Sequence, residues 1–381
     1  MQYTEYELGE LLPFEQPTAY IVKSTDYSDA YATPVLTAGK SFILGKTNET
    51  DGIFDQLPVI IFDDFTTATQ FVNFRFKVKS SAMKILHINT DLVIPKYIFY
   101  RLQIIQFDHS THKRYWIQSY SKIKVLIPPL DEQSRIVAHI EELFSELDKA
   151  VDTLKTTKEQ LEVYRQAVMK DAFQEKESII RLGDAIEKPR YGTSKKCDYP
   201  CTANSTAVLR IPNIDTKNGR VDSSDLKYAE FNEKELEQLS LKNGDILIIR
   251  SNGSVSLVGS SAIIRKCDTD KTYAGYLMRL RILNKEKLLP KYLLYYLSSP
   301  DARRYIESVA KSTSGVNNIN SQEISKLCVP LSSIEKQEKT VAEIEMKLSV
   351  YHEIEKSVDT VLVQADAMRQ SILKQAFEGA L

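Results

Sequence analysis

The chain of 381 residues is poor in cysteine, glycine and proline. Four cysteines are too few for a disulfide scaffold of this size, and 13 glycines and 13 prolines leave little room for low-complexity linkers. No uncharged stretch approaches the roughly 20 apolar residues of a membrane span, and Glu5, Glu7 and Glu10 stand where a signal peptide needs basic residues. The sequence therefore predicts a cytoplasmic protein with free thiols, no membrane segment and two or three domains.

Net charge is also small, at −1, which on its own argues against a nucleic-acid-binding protein. The charge is unevenly distributed, however. Residues 1–128 are neutral overall and residues 179–328 carry +7, whereas residues 129–178 and 329–381 carry −5 and −3. A polyanion would therefore be attracted to residues 179–328.

An internal repeat organises the chain. The sequence RQAVMKDAF at 165–173 returns as RQSILKQAF at 369–377, an offset of 204 residues. A second pair, PKYIFYRL at 95–102 and PKYLLYYL at 290–297, has an offset of 195. The chain is therefore two copies of one plan, each a globular domain followed by a long segment.

Both long segments carry apolar residues at alternating steps of three and four, which is the heptad spacing of coiled coils. The predicted seams are Val137, Ile140, Phe144, Leu147, Val151, Leu154, Leu161, Val168 and Ala172, and Val341, Ile344, Leu348, Tyr351, Val358, Leu362, Ala365, Ile372 and Ala376. Neither proline nor glycine interrupts them, and each apolar stripe needs a partner, for which the other copy is the first candidate. The seam alone does not decide between parallel and antiparallel pairing, and two separate core helices are the alternative.

The predicted fold class is α/β (α+β). Short buried strands such as Ile246–Ile249 mix with short helices such as 290–297 in both globular parts. The predicted segments are a first domain at 1–128, a first long helix at 129–178, a second domain at 179–328 and a second long helix at 329–381.

Two motifs resemble catalytic sites but lack a required partner. Ala38–Ser41 looks like the end of a phosphate-binding loop, yet Pro34 stands where the loop needs its first glycine. Asp63 and Asp64 follow a strand, as carboxylates do in metal-dependent nucleases, but no second acidic partner follows downstream. The sequence predicts no enzyme, with a nuclease using Asp63 and Asp64 as the catalytic alternative.

Metal ligands are equally incomplete. Cys197 and Cys201 have the spacing C-x3-C without a nearby histidine, and His109 and His112 have no third ligand close to them. No metal site is therefore predicted.

Two segments of the positively charged part combine basic, amide and hydroxyl side chains. Arg190–Lys196, RYGTSKK, is a basic loop with one aromatic residue, and Arg250–Ser254, RSNGS, directly follows a buried strand. Arginine can bond guanine through two hydrogen bonds and asparagine can do so with adenine, while serine, threonine and lysine suit phosphates. The two segments are candidate DNA contacts, and solvated turns are the alternative for each.

The order of these motifs resembles the specificity subunits of type I restriction-modification systems. IPPLDEQ-x-RIV opens the first long segment, GTSKK, VLRIPNI and GDILIIRSNGS follow in the second domain, and RQSILKQAFEG closes the chain. The resemblance covers nearly the whole chain, although the first domain matches mainly by position. LSSIEKQ at 331–337 departs from the usual Pro-Pro-Leu-x-x-Gln entry to the helix.

The resemblance implies two similar target-recognition domains, separated by two long antiparallel coiled-coil helices with a pseudo-twofold internal repeat. It implies that each domain reads one half of a bipartite double-stranded DNA target and that the chain is non-catalytic and holds no cofactor. Two modification subunits would methylate adenine with S-adenosylmethionine, and restriction subunits would translocate DNA with ATP and Mg²⁺. A coiled-coil scaffold with two protein- or glycan-binding end domains is the alternative function.

Individual residues follow from these motifs and this resemblance. The expected DNA contacts are Thr37, Lys40, Asp64, Thr66, Thr67, Lys113, Arg114, Tyr191, Thr193, Ser194, Lys195, Lys196, Arg210, Asn213, Arg250, Ser251, Asn252 and Ser254. The expected partner contacts, at repeat-equivalent positions of the two helices, are Gln133, Arg165, Gln166, Gln337, Arg369 and Gln370.

Overall fold

The computed structural model describes residues 3–37, 41–108, 114–199, 202–313 and 315–378. The chain divides into two compact units, one made of Met1–Lys155 with Asp359–Leu381 and one of Thr156–Val358. Each unit holds one globular domain and one end of each long helix. Because this division crosses both helices, the four segments drawn from the sequence stay a prediction.

The first unit's domain is built around the strand Val59–Asp63, which is buried along its whole length. It pairs on both sides in an antiparallel sheet, and a smaller sheet contains one parallel pair. The sheets, in spatial order, are Phe14–Glu15, Met83–His87, Val59–Asp63 and Thr69–Val72; Ile43–Thr47, Thr33–Leu36 and Lys77–Val78; and Thr4–Glu7 with Lys124–Ile127. The helices are Leu8–Leu11, Pro95–Leu102 and Tyr115–Gln118, with short 3₁₀ turns at Pro17–Tyr20 and Tyr120–Lys122.

The second unit's domain repeats this plan around the fully buried strand Ile246–Ile249. Its sheets, in spatial order, are Arg190–Tyr191, Leu277–Leu280, Ile246–Ile249, Ser261–Ile263, Arg220–Val221 and Ile214–Asp215; Lys227–Glu230, Ser205–Leu209 and Thr272–Tyr273; Ser251–Asn252, Val316–Asn318 and Lys311–Thr313; and Ser178–Arg181 with Cys328–Leu331. The helices are Leu182–Ala185, Glu233–Gln238, Pro290–Leu297, Pro300–Val309 and Ser321–Ser325, with 3₁₀ turns at Ile211–Asn213, Val255–Leu257 and Lys266–Asp268.

The two long helices run unbroken over Leu130–Asp171 and Ile334–Glu378. In the first unit Ile140, near the start of one helix, packs against Leu373, near the end of the other, so the pairing is antiparallel. The predicted seam of the second helix is buried except at Leu362, and Glu355 between its apolar residues is only 9% exposed. The seam residues of the first helix are buried or half-buried. The antiparallel coiled coil is thereby confirmed. In the described part of the chain, neither these helices nor any other is apolar enough to cross a membrane.

The repeat extends to single hydrogen bonds around two buried glutamines. Gln133 donates through Nε2 to the carbonyls of Leu92 and Pro128, at 3.1 and 2.9 Å, and its Oε1 accepts the Ile94 N–H at 2.8 Å. Gln337 makes the equivalent set with Lys287 and Ser332 as acceptors and Leu289 as donor, at 2.8, 2.9 and 2.9 Å. Each glutamine thus joins the start of a long helix to the loop before a domain helix.

An exposed ion pair is repeated in the same way. Lys96 pairs with Glu141 in the first unit, and Lys291 pairs with Glu345 at 2.6 Å in the second. Although both pairs are part of the repeat, all four side chains are about half exposed, so solvent screens the attraction.

We expect Lys96→Ala or Lys291→Ala to lower the free energy of unfolding by no more than about 1 kcal/mol, measured by urea denaturation. A larger loss would show that these pairs anchor the helices to the domains.

Candidate nucleic-acid interface

Arg250 is the first residue after the central strand of the second domain. Its backbone N–H donates to the Tyr276 carbonyl at 2.9 Å and its carbonyl accepts the Ile319 N–H at 2.9 Å, which fixes the direction of the side chain. The guanidinium lies 4.4 Å from the centre of the Tyr191 ring and donates through Nη1 to the Gly275 carbonyl at 3.1 Å. The structure therefore brings the predicted segments 190–196 and 250–254 together, which their separation in the sequence does not show.

The Tyr191 side of this contact is held by close backbone packing. A Cβ on Gly192 would lie 2.2 Å from the Tyr273 carbonyl oxygen, so only glycine fits there. Thr193 bridges to Ala274 beyond it. The hydroxyl of Tyr191, whose side chain is half exposed, accepts the Ser321 N–H at 2.9 Å. The ring is thus a fixed platform for Arg250.

Asparagines lie in the short strand that follows Arg250 and in the strand paired with it. Ser251 and Asn252 form a short strand that pairs with Asn318 and Asn317, and the Asn252 amide oxygen accepts the Ser254 N–H at 2.9 Å. The Asn317 amide donates to the Gly253 carbonyl at 2.9 Å. The sequence reasoning missed the two asparagines at 317 and 318, whose only signal was the asparagine-rich run VNNIN.

The two predicted lysines have different surroundings. Lys195 donates to the Glu235 carboxylate at 2.7 Å and to the Glu230 carbonyl at 2.8 Å, and its ammonium lowers the pKa of Glu235. Lys196 is 87% exposed and pairs at 3.2 Å only with the exposed Asp198 among the described residues. Ser194 is exposed beside them. Lys196 is therefore the better placed of the two to exchange its partner for a phosphate.

The predicted pair Arg210 and Asn213 is occupied within the second domain. Asn213 is 1% exposed, accepts the Arg210 N–H at 2.9 Å and donates to the carbonyls of Asp222 and Asp225 at 3.0 and 2.8 Å. The Arg210 guanidinium is 17% exposed and pairs with the Asp225 carboxylate at 3.0 Å. Asn213 has no surface to offer to DNA in this fold, because its amide ties a loop to a 3₁₀ turn.

In the first domain, the turn after the central strand occupies the place that Arg250–Ser254 holds in the second. Asp64 is buried there: its carboxylate lies 3.4 Å from the Lys84 ammonium and accepts the Trp116 N–H at 2.8 Å. Asp64 is therefore a structural residue in this fold and not an exposed DNA contact. Thr66 and Thr67 form the tip of the turn, where Thr67 has a φ of 58°.

The other predicted contacts of the first domain are dispersed. Thr37 is half-buried and Arg114 is exposed. Lys40 and Lys113 lie outside the described residues.

The contacts of Asp63 and Asp64 in this turn argue against the nuclease alternative. The Asp63 carboxylate accepts the backbone N–H groups of Phe65 and Thr66, at 2.8 and 3.3 Å, and so closes the turn. With Asp64 paired to Lys84, neither carboxylate is presented to a metal. Over residues 3–37, 41–108, 114–199, 202–313 and 315–378, no three histidine, cysteine or acidic side chains form a cluster fit for a metal ion. Cys201, His109 and His112 lie outside the described residues.

The predicted partner contacts fall into two groups. Gln133 and Gln337 are fully buried and bonded inside their units, so their role is structural and they present nothing to a partner. Arg369 stacks on Phe144 at 4.9 Å and pairs with Asp148, which leaves it half-exposed. Arg165 is half-buried, and Gln166 and Gln370 are exposed.

No family model matches the chain. The specificity subunit of the type I restriction enzymes EcoR124I/EcoR124II from Escherichia coli is 34% identical over 360 residues, which cover 88% of this chain and 84% of that protein. The EcoKI specificity subunit of Escherichia coli strain K12 is 29% identical over 278 residues, covering 69% of this chain and 59% of that one.

Two solved structures share the fold. A chain from a study of complex assembly and conformational transition in a type I R-M system matches with a TM-score of 0.70, 17% identity and coverage of 100% and 98% of the two chains. The HsdS subunit from Thermoanaerobacter tengcongensis matches with a TM-score of 0.53, 16% identity and coverage of 100% and 97%. The 34% identity to the EcoR124I/EcoR124II subunit shows that the chain belongs to the specificity subunits of type I restriction enzymes, the non-catalytic subunits that recognise the DNA sequence.

Proposed function

We propose that the chain reads a bipartite double-stranded DNA target, one half per domain, and that Tyr191, Arg250 and Asn252 form part of the reading surface of the second domain. The observation that carries the assignment of this surface is the stacking of Arg250 on Tyr191 at the end of the central strand. A fixed guanidinium, with asparagines in the short strand that follows it and in the strand paired with that one, offers donors and acceptors of the kind that distinguish base edges in the major groove. The first domain would present its Thr66–Thr67 turn from the equivalent strand end.

The two domains would attract DNA to different degrees. Residues 179–328 carry +7 and residues 1–128 carry no net charge, so phosphate attraction would come mainly from the second domain. The first domain would then depend more on directional hydrogen bonds from groups such as Thr37, Thr66 and Thr67.

The partners proposed for this chain are two modification subunits, bound along the long helices, and restriction subunits that complete the complex. S-adenosylmethionine would be held by the modification subunits, and ATP and Mg²⁺ by the restriction subunits. The support is the repeat of the helix ends, in which five of nine residues are identical and Gln166 and Gln370 are exposed at equivalent positions. Native mass measurement should give two modification subunits for each copy of this chain, and a single copy would contradict the symmetric arrangement.

The bipartite reading is tested with the assembled complex. Methylation-sensitive sequencing of the host genome identifies the target, and binding is then measured on DNA with either half-site scrambled. We expect both scrambled DNAs to bind no better than unrelated DNA. Retained affinity after one half is scrambled would show that only one domain reads sequence, and affinity that does not change with salt would favour the protein-only scaffold.

Lys196→Ala tests the phosphate contact proposed for the second domain. Because the side chain is highly exposed and its partner Asp198 is exposed too, we expect weaker binding to every DNA sequence and a salt slope smaller by about one. The measurement is the slope of log affinity against log salt for specific and unrelated DNA. Lys188→Ala, at another exposed lysine of this domain outside the segment, is the control. An unchanged slope would remove Lys196 from the interface.

A further inference from the structure

A cavity of about 240 Å³ in the second unit lies outside the proposed DNA surface. Its charged lining comprises Arg165, Lys217 and Arg303, opposed by the Glu162 carboxylate. Glu162 accepts the Tyr351 hydroxyl at 2.6 Å, and Lys217 pairs with Glu355 at 2.9 Å. Arg303 pairs with Glu307 at 3.1 Å. Of the three cations, Arg165 alone has no ion pair with a described carboxylate, and serine hydroxyls complete the lining.

The repeat supplies an internal reference for Arg165. Its equivalent in the first unit, 204 residues later, is Arg369, which pairs with the Asp148 carboxylate. The position equivalent to Asp148 in the second unit is His352, which lines the cavity together with Arg165. Arg165 donates only a long bond of 3.5 Å to the Lys217 carbonyl and has no ion pair with a described carboxylate. The second unit thus retains the arginine and lacks the carboxylate that neutralises its copy.

Two buried polar atoms of the lining are also unsatisfied. Ser261 is 5% exposed, and its Oγ has no hydrogen-bond partner among the described residues. The same holds for the buried Nε2 of His352. Buried hydroxyl and imidazole groups are rarely left without a partner, because burial removes their hydration and nothing replaces it. Ser261 and His352 both line the cavity together with Arg165.

We propose that this cavity is a phosphate-binding site, in which the anion takes the place that the Asp148 carboxylate holds in the first unit. Arg165 supplies the positive charge and donates to the phosphate oxygens, which suit a guanidinium. Ser261 and His352 supply further hydrogen bonds, through Oγ and Nε2. The proposal is independent of the DNA-reading surface, because none of its three residues belongs to that surface.

The size of the cavity limits the ligand. A volume of about 240 Å³ is below the range of pockets that enclose a drug-sized molecule, and it suits inorganic phosphate. An adjoining cavity of about 460 Å³ shares Arg165, Lys217 and His352, so the same phosphate group could belong to a nucleotide whose remaining part lies there. The shared chemistry is phosphate, and separate titrations with inorganic phosphate and with adenosine monophosphate distinguish the two sources.

The decisive variant is His352→Asp, which gives the second unit the carboxylate that Asp148 supplies at the equivalent position of the first. In the full-length chain, we expect inorganic phosphate to raise the unfolding midpoint more than chloride at equal ionic strength. His352→Asp should raise the midpoint without phosphate, because Arg165 gains a carboxylate, and should weaken phosphate binding at least about tenfold by calorimetry. Ser261→Ala and Arg165→Gln should also weaken binding, whereas Arg369→Gln, the repeat-equivalent control, should leave the response to phosphate unchanged.

Other results of these titrations would contradict the proposal or identify the source of the phosphate. If neither phosphate nor the nucleotide binds the wild-type chain, the cavity holds water only and the proposal is wrong. Equal phosphate binding by His352→Asp, or loss of binding in Arg369→Gln alone, would place the anion elsewhere. If the nucleotide binds tenfold or more tightly than phosphate and His352→Asp abolishes both, the site takes its phosphate from a nucleotide.

Discussion

Gln133→Ala is expected to lower the free energy of unfolding of the first unit by about 3–5 kcal/mol, because it leaves one buried and two half-buried backbone groups without their partner. These groups are the carbonyls of Leu92 and Pro128 and the N–H of Ile94, all bonded to the fully buried amide. Each orphaned group costs about 1–3 kcal/mol, and the small alanine side chain lets water replace part of the loss. Denaturant unfolding measures the effect, and hydrogen exchange assigns it to the loop before the helix Pro95–Leu102.

The repeat provides a matched test. Gln337→Ala should produce a similar loss in the second unit, at the loop before Pro290–Leu297, since its three hydrogen bonds are the same in kind and similar in length. Ser134→Ala, one residue beyond Gln133 but exposed, should change stability by no more than about 0.5 kcal/mol. A loss below about 1 kcal/mol in either glutamine variant would mean that water replaces the amide completely.

The architecture could be predicted from the sequence because apolar periodicity and an internal repeat indicate it. Heptad spacing gave the seam, and the constant offset of 204 residues showed that the long helices are equivalent. The direction of pairing could not be read, because a heptad seam is compatible with either direction, and contacts such as that of Ile140 with Leu373 decide it. The glutamines were recognised as equivalent positions but expected at a partner surface. From the sequence alone, a buried polar side chain that bonds distant backbone groups cannot be told from an exposed one. The position of the loop that carries those groups has to be known first.

The candidate nucleic-acid interface was predicted only in part, because only some of its residues have a local signal in the sequence. The segments 190–196 and 250–254 have local basic and amide character, which a single sequence reveals, and the structure joins them. Asn213 has the same character, yet a bond to the backbone three residues earlier makes it a structural group. Asn317 and Asn318 reach the site by pairing with a strand more than 60 residues away in sequence. Such long-range pairing leaves no local signal.

Arg250→Ala is expected to relax base discrimination at one position of the half-site read by the second domain. The substitution removes a guanidinium that is fixed by the Tyr191 ring and the Gly275 carbonyl and whose Nη2 has no partner among the described residues. We expect specific binding to weaken by about 1–3 kcal/mol, or roughly 5- to 150-fold, with binding to unrelated DNA unchanged. The measurement is affinity of the assembled complex for targets carrying each base at every position of that half-site.

Tyr191→Phe is the matched control, because it keeps the ring under Arg250 and removes only the hydroxyl that accepts the Ser321 N–H. It should retain discrimination, whereas Tyr191→Ala, which frees the guanidinium, should lose part of it. An equal loss on specific and unrelated DNA in Arg250→Ala would show that Arg250 contacts phosphate or supports the fold. No change in affinity or target choice would identify the segment as a solvated turn, and the reading surface of the second domain would then have to lie elsewhere.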